Sequence, residues 1–287
     1  VNEFGRRAIV ALIAAPLAIG IIWIGGAPLA TLLGAMSGIA AWEFYRLARE
    51  GGAAPLSAIG IVLSACIPIA VHGQILGVLT IPLYVWVSCV VAILGAAIWL
   101  RGVDGKPLAA VSTTVYGVLY TGATLSFGYA LRYHNYAVGD TAGALAVLFP
   151  VVLTWASDSG AYFSGNLIRG RKLMPSVSPR KTVAGAVGGV LVTVAATYAF
   201  TYGLLVPKAQ LAFTPTGIVI FGVAISVIAQ IGDLAESLLK REAGVKDSGT
   251  LFPGHGGVLD RLDSLFFVLP AAYALYDLLL IPAPGAR

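Results

Sequence analysis

The sequence predicts an all-α integral membrane protein with about nine transmembrane helices, N-terminus cytoplasmic and C-terminus outside. Three observations carry that expectation. Of 287 residues, 58% are hydrophobic and 11% are charged, whereas a soluble domain carries about 25% charged residues. Nine segments approach the ~20 mainly apolar residues that a spanning helix needs: 8–25, 27–47, 56–72, 75–100, 108–132, 143–164, 183–205, 211–239 and 264–283. When the connections are assigned alternately to two sides, all 18 Lys and Arg except Arg132, Lys208 and Arg287 fall on one side, and basic loops mark the cytoplasm. The runs are continuously apolar, which suits helices rather than the alternating strands of a barrel.

Taken in order, the first segment follows Arg6 and Arg7. A basic start and an apolar run resemble a signal peptide, but eight further apolar segments make an uncleaved first span the better expectation. The second closes on Trp42-Glu43-Phe44-Tyr45-Arg46, aromatic and basic residues of the kind that anchor a membrane interface. Glu43 and Arg46, at i and i+3, are expected to pair. Gly- and Pro-containing breaks at 25–28, 51–55 and 104–107 separate the early spans. Cys66 and Cys89 lie inside apolar runs and read as packing residues rather than a disulfide framework. Arg132, His134 and Asp140 read as an unremarkable outer loop, and Asp277, near the outer end of the last span, as hydrated or paired. The expected organisation is 1–140, about five spans, and 141–287, about four spans with cytoplasmic polar loops at 165–182 and 240–263.

The acidic residues cluster late. Asp233, Glu236, Ser237 and Lys240 recur at helical spacing after the apolar run IVIFGVAISVIAQI, forming one polar stripe. An acid at membrane depth is costly unless paired, hydrated or metal-bound. Glu236 and Lys240 are in the favourable i, i+4 order, but internal pairing leaves Asp260 and Asp263, beside a second apolar run, unexplained. Carboxylates from two helix ends make an oxygen-donor site, which hard divalent cations such as Mg²⁺ prefer, usually keeping waters and substrate phosphates. Pro253-Gly254-His255-Gly256-Gly257 has little side-chain bulk and would allow close backbone approach to a ligand, or would simply turn the chain. Asp158 ends another apolar run and is open to two roles, a third metal carboxylate or a partner for a lysine. The Arg169, Arg171 and Lys172 cluster is sufficiently explained by anionic headgroups. Ser178, Lys181 and Thr182 stand where a helix could start, and hydroxyls with a lysine at a helix N-terminus suit a phosphate.

These residues resemble the phosphatidate cytidylyltransferase family, the CDP-diacylglycerol synthases. The resemblance rests on Ser237, Lys240-Arg241, Lys246-Asp247, the turn Pro253 to Gly257, and Asp260-Arg261-Leu262-Asp263, supported by QIGDL at 230–234, SDSGAYFSG at 157–165, SPRKT at 178–182 and the run from Glu43 to Leu47. It is tight in the C-terminal half and loose over 50–150. Ala184 stands where the family commonly has Glu, which leaves a metal role near that position without support. The resemblance implies that CTP and phosphatidate give CDP-diacylglycerol and pyrophosphate with Mg²⁺, and it also implies K⁺ as a second cation and a homodimer. It implies that Asp233 and Asp260 bind metal. It further implies that Lys240, Lys246, Asp247, His255, Arg261 and Asp263 line the catalytic site, and that Ser178, Lys181, Thr182, Ser237, Gly256 and Gly257 contact substrate. Localisation in the cytoplasmic membrane with the site facing the cytoplasm follows, and no nucleic-acid partner is expected. A related polyprenol or lipid kinase, or an ion transporter, are the alternatives. A kinase would release no pyrophosphate, and a transporter would place charges in mid-span.

Overall fold

The structure, a computed structural model, describes residues 3–168, 170–249 and 256–283, with side chains from residue 14 onward. It is built from helices: α1 (Glu3–Ile24), α2 (Gly26–Glu50), α3 (Ser57–Ile75), α4 (Leu83–Leu100), α5 (Pro107–Gly117), α6 (Thr124–Arg132), α7 (Gly139–Ile168), α8 (Val183–Phe200), α9 (Pro215–Glu242), α10 (Val258–Leu262) and α11 (Leu265–Leu279). Among the described residues, seven helical stretches are long and apolar enough to cross a membrane: Ser57–Ile75, Leu83–Leu100, Pro107–Arg132, Gly139–Ile168, Val183–Ala209, Pro215–Glu242 and Val258–Leu279. Each overlaps a segment expected from hydropathy. The first two expected segments are also helical, as α1 and α2, and α2 carries Glu43, Arg46, Arg49 and Glu50 in its second half. Two π-helical stretches, Val118–Ala123 and Thr201–Ala209, extend α5 and α8.

Strands, which the sequence did not suggest, occur as two short antiparallel pairs. β1 (Lys172–Met174) pairs with β2 (Ser178–Thr182), and β3 (Leu211–Phe213) with β4 (Leu280–Pro282). Pro179 lies inside β2. It offers no backbone N–H, and a two-stranded ribbon, whose strands are both edges, tolerates that.

The chain forms two compact units, each assembled from separated pieces of sequence. The first comprises the chain up to Leu17, Gly26–Tyr129 and Leu239–Leu262; the second comprises Ala18–Gly25, Ala130–Leu238 and the chain from Asp263 on.

In the first unit, Leu56, Ile93, Ala97, Ala110 and Val111 form a buried cluster covered by Ile59, Leu63, Ala96 and Val115. Tyr45 is buried and donates to the Thr114 carbonyl at 2.7 Å. Gly117 leaves room for its ring, since a Cβ there would stand 2.5 Å from it. The hydroxyls of Ser64, Thr114 and Thr121 donate to carbonyls one turn back, at 2.8, 2.7 and 2.8 Å. Away from water, that local bond spares each buried side chain an orphaned donor.

In the second unit, α7 and α8 approach along a seam of small residues. A Cβ on Gly185 would lie 2.8 Å from the Ala161 carbonyl, and one on Gly160 would lie 2.7 Å from Val192. Small residues let membrane helices pack backbone to backbone. Phe149, Phe221 and Tyr276 stack face to face with centroids 5.1 and 5.5 Å apart.

The 132–140 connection is not the unremarkable loop expected. Arg132 is 2% exposed and donates to the Ile22 and Trp23 carbonyls at 2.9 and 3.0 Å and to Asp140 at 3.0 Å. Its guanidinium thus donates to carbonyls in the last turn of α1, where helical donors run out. Arg132→Ala is expected to lower stability by about 1–3 kcal/mol for each orphaned carbonyl, measured by thermal unfolding in detergent. Asp140, 84% exposed, adds little because water solvates it. Asp277 is paired, 3.3 Å from His134 Nε2. Burial pushes the His134 pKa below its ordinary value of 6.5, and Asp277 opposes the shift. A histidine held neutral in the fold leaves the unfolded state with more bound protons as pH falls. Stability is therefore expected to drop as pH falls from 6.5 through the lower folded value, which unfolding scans between pH 7 and 5 would register.

Candidate active site

Two polar centres stand out, one in each unit. The centre of the second unit is a cavity of ≈ 390 Å³ lined by Asp158, Tyr162, Asn166, Arg180, Lys181, Thr182, Gln230 and Asp233, among others. Asp158 comes from α7, Arg180 to Thr182 from β2, and Gln230 and Asp233 from α9. Lys181 Nζ lies 2.6 Å from Asp233 Oδ2, with the two side chains 25% and 34% exposed. Ser237 Oγ, one turn along α9, donates to Asp233 Oδ1 at 3.4 Å.

Why the chain turns here is local. Thr182 is the N-cap of α8, and its Oγ1 accepts from the Gly185 N–H at 3.0 Å, the usual task of a capping hydroxyl. The helix start expected near Ser178 therefore falls at Val183, and Ser178 and Lys181 sit on a strand leading into it. Behind the cavity, Gln230 Nε2 donates to the Ala186 carbonyl at 3.2 Å and to Ser226 Oγ at 3.1 Å, and Ser226 Oγ is 2.8 Å from Ser157 Oγ. This polar chain braces α9 against α7 and α8. Gln230 was not singled out from the sequence; its place one helical turn before Asp233 is the signal that could have found it.

The centre of the first unit is built on Asp260. Its Oδ1 is 2.8 Å from Lys240 Nζ. Its Oδ2 accepts from the Ser248 N–H at 2.9 Å, Ser248 Oγ at 2.9 Å and the Gly257 N–H at 2.8 Å. Gly256 has φ +80°, and a Cβ there would stand 2.5 Å from Asp260 Oδ2, so this position requires glycine. Beside Asp260 lies a residue that the sequence did not single out for the site. Glu43, on α2, is fully buried, and its carboxylate accepts from Ser248 Oγ at 3.3 Å, the Val258 N–H at 3.2 Å and the Leu259 N–H at 2.7 Å. The expected Glu43–Arg46 pair does not form: Arg46 pairs with Glu50 at 3.5 Å and lies over the Trp42 ring.

The remaining expected site residues divide simply. Lys246, Asp247 and Arg261 are exposed, and Asp263 accepts from the Ser264 N–H at 2.6 Å. Pro253, Gly254 and His255 lie outside the described residues. Asp233 and Asp260, expected around one ion, belong to different units, and each is engaged within its own.

The donor chemistry of the second-unit cavity fits a hard divalent cation. It offers two carboxylates together with amide and hydroxyl oxygens, and neither His nor Cys. Among the described residues, no three or more His, Cys, Asp or Glu side chains gather into a closed metal site. Mg²⁺ takes one or two carboxylates and fills its other positions with water and phosphate, so an open pair of aspartates suffices.

The model of the cytidylyltransferase family matches residues 5–279. The chain belongs to that family. Similar proteins include the phosphatidate cytidylyltransferases of Haemophilus influenzae, 44% identical over 143 residues (49% of this chain and 48% of the relative), of Bacillus subtilis, 40% over 154 residues (54% of each), and of Brucella melitensis, 46% over 134 residues (47% and 46%). The chain spans about half the length of the curated relatives it matches. Within the cavity, Lys181 is the cation that stands beside Asp233 and lines the same wall as Asp158. Under the function proposed below, Lys181→Ala is expected to lower kcat/KM for CTP about 10²-fold, the scale set by removing one hydrogen bond to a charged group, read from initial rates at varied CTP.

Proposed function

We propose that this chain transfers the cytidylyl group of CTP to phosphatidate, giving CDP-diacylglycerol and pyrophosphate. The observation that supports this reading most is the cavity gathering Asp158, Lys181, Arg180 and Asp233 in an otherwise apolar member of the cytidylyltransferase family. A phosphate oxygen of phosphatidate attacks the α-phosphorus of CTP, a new P–O–P bond forms, and the bond between the α-phosphorus and the bridging oxygen breaks. The electron pair leaves on pyrophosphate. Both reactants are anions, so their approach must be screened. The nucleophile is already ionised, so no strong general base is required. Lys181 and Arg180 bind and orient the triphosphate. Asp158 and Asp233 would hold Mg²⁺, which supplies charge neutralisation on phosphate oxygens when bound.

Further members of the proposed site are Ser178, Thr182, Ser237, Gly256 and Gly257 toward substrate, and Lys240, Lys246, Asp247, His255, Arg261 and Asp263 around the reacting groups, with Asp260 as a further carboxylate. A K⁺ ion and a homodimer complete the proposal. Nine spans with the N-terminus in the cytoplasm, and a site open to cytoplasmic CTP, agree with the distribution of Lys and Arg. The test is pyrophosphate release by purified protein in mixed micelles. Release from CTP that requires phosphatidate, matched by CDP-diacylglycerol, is expected. Release of CDP with a phosphorylated lipid and no pyrophosphate would replace the reading with a lipid kinase.

A further inference from the structure

Glu43 has no part in the proposed chemistry, yet it is a buried acid held by three donors. It is fully buried on α2, and its three donors are 205, 215 and 216 positions away in sequence. The surroundings are shaped to its carboxylate: a Cβ on Gly249 or on Gly257 would fall inside contact distance of Glu43 oxygens. Only residues without side chains fit on those two sides.

Glu43 and Asp260 grip the same short stretch from two directions. Ser248 Oγ stands 3.3 Å from Glu43 Oε2 and 2.9 Å from Asp260 Oδ2. It has one proton to give. Gly257 donates to Asp260, and the next two amides, Val258 and Leu259, donate to Glu43. Asp260 therefore receives its donors from a backbone that Glu43 holds still. Only then does its other oxygen meet Lys240 at 2.8 Å.

We propose that Glu43 is a positioning residue of the transfer reaction: through Ser248 and the 257–259 backbone it fixes the orientation of the Asp260 carboxylate and, with it, of Lys240. The inference rests on the proposed function, in which Asp260 and Lys240 belong to the site. Positioning to within a fraction of an ångström is what separates productive from unproductive binding. Loss of such a residue lowers kcat more than it weakens substrate binding.

The test uses the full chain in detergent with phosphatidate and CTP. Glu43→Gln keeps the shape but turns an amide N–H₂ toward N–H donors. Gly249→Ala leaves Glu43 intact and pushes its carboxylate aside. Each is expected to lower kcat at least tenfold per folded molecule while the KM for CTP stays within twofold. A purely structural role would instead lower the unfolding temperature and the folded fraction, with wild-type kcat in the molecules that remain folded. Wild-type kcat in folded Glu43→Gln, or in Gly249→Ala should Glu43→Gln not fold, overturns the inference while leaving the proposed function in place. A wild-type protein that releases no phosphatidate-dependent pyrophosphate overturns the proposed function and this inference with it.

Discussion

Asp233→Asn is expected to abolish most turnover, by about 10²–10³-fold, with little change in stability. The two effects separate because of exposure. The Asp233 and Lys181 side chains are 34% and 25% exposed, and Asp158 lines the same cavity, so a second carboxylate and water remain to compensate Lys181 and the pair contributes about 0–1 kcal/mol to folding. In the cavity the same carboxylate has a different task. It shares with Asp158 the proposed neutralisation of triphosphate charge, and removing one preorganised electrostatic interaction commonly lowers rates on the stated scale. Steady-state rates and thermal unfolding of the same preparation check both halves. A variant whose activity falls only in proportion to its folded fraction would place Asp233 among structural residues.

Asp260→Asn is expected to behave differently. Here the Lys240 and Asp260 side chains are only 12% and 7% exposed, and the carboxylate also accepts from Ser248 and Gly257. Neutralising one partner of a buried pair leaves the other charge without compensation, which destabilises by about 3–5 kcal/mol. Sequence reasoning alone would treat Asp260→Asn as an inactive but well-folded protein. The observed network predicts an inactive and less stable one. Replacing both charges, with Lys240→Met and Asp260→Asn together, is expected to recover part of the drop in unfolding temperature, because removing both ions also removes their desolvation cost. Activity is not expected to return. Recovery of stability with recovery of activity would contradict the site assignment.

The contrast between these two aspartates was not legible in the sequence. Both follow or precede an apolar run at a helix end, and both look like metal carboxylates. Their exposure and their donors come from tertiary packing. What hydropathy could read, it read well: the seven stretches long and apolar enough to span a membrane each overlap an expected segment, because lipid demands length and apolarity locally. Asp158 was recognised as a polar end to an apolar run, and the fold adds that it lines one cavity with Lys181 and Asp233. Glu43 escaped because its donors are more than 200 positions away, while Arg46 stood nearby as a plausible but wrong partner. Arg132 escaped because counting charges for orientation ignores where a guanidinium points. The β1–β2 ribbon escaped because its polar residues show neither helical nor strand periodicity, and the only cue, Pro179 before a capping Thr182, reads equally well as the approach to a helix.

In the proposed function, the cavity lined by Asp158, Lys181 and Asp233 receives the triphosphate of CTP together with a divalent ion. Calorimetric titration of CTP into the detergent-solubilised protein, with and without Mg²⁺, tests it without relying on turnover. Saturable binding that needs Mg²⁺ is expected in the wild-type chain, abolished in the Asp158→Asn, Asp233→Asn double variant at an unchanged unfolding temperature. Equal CTP binding by that folded double variant and the wild-type chain would contradict it.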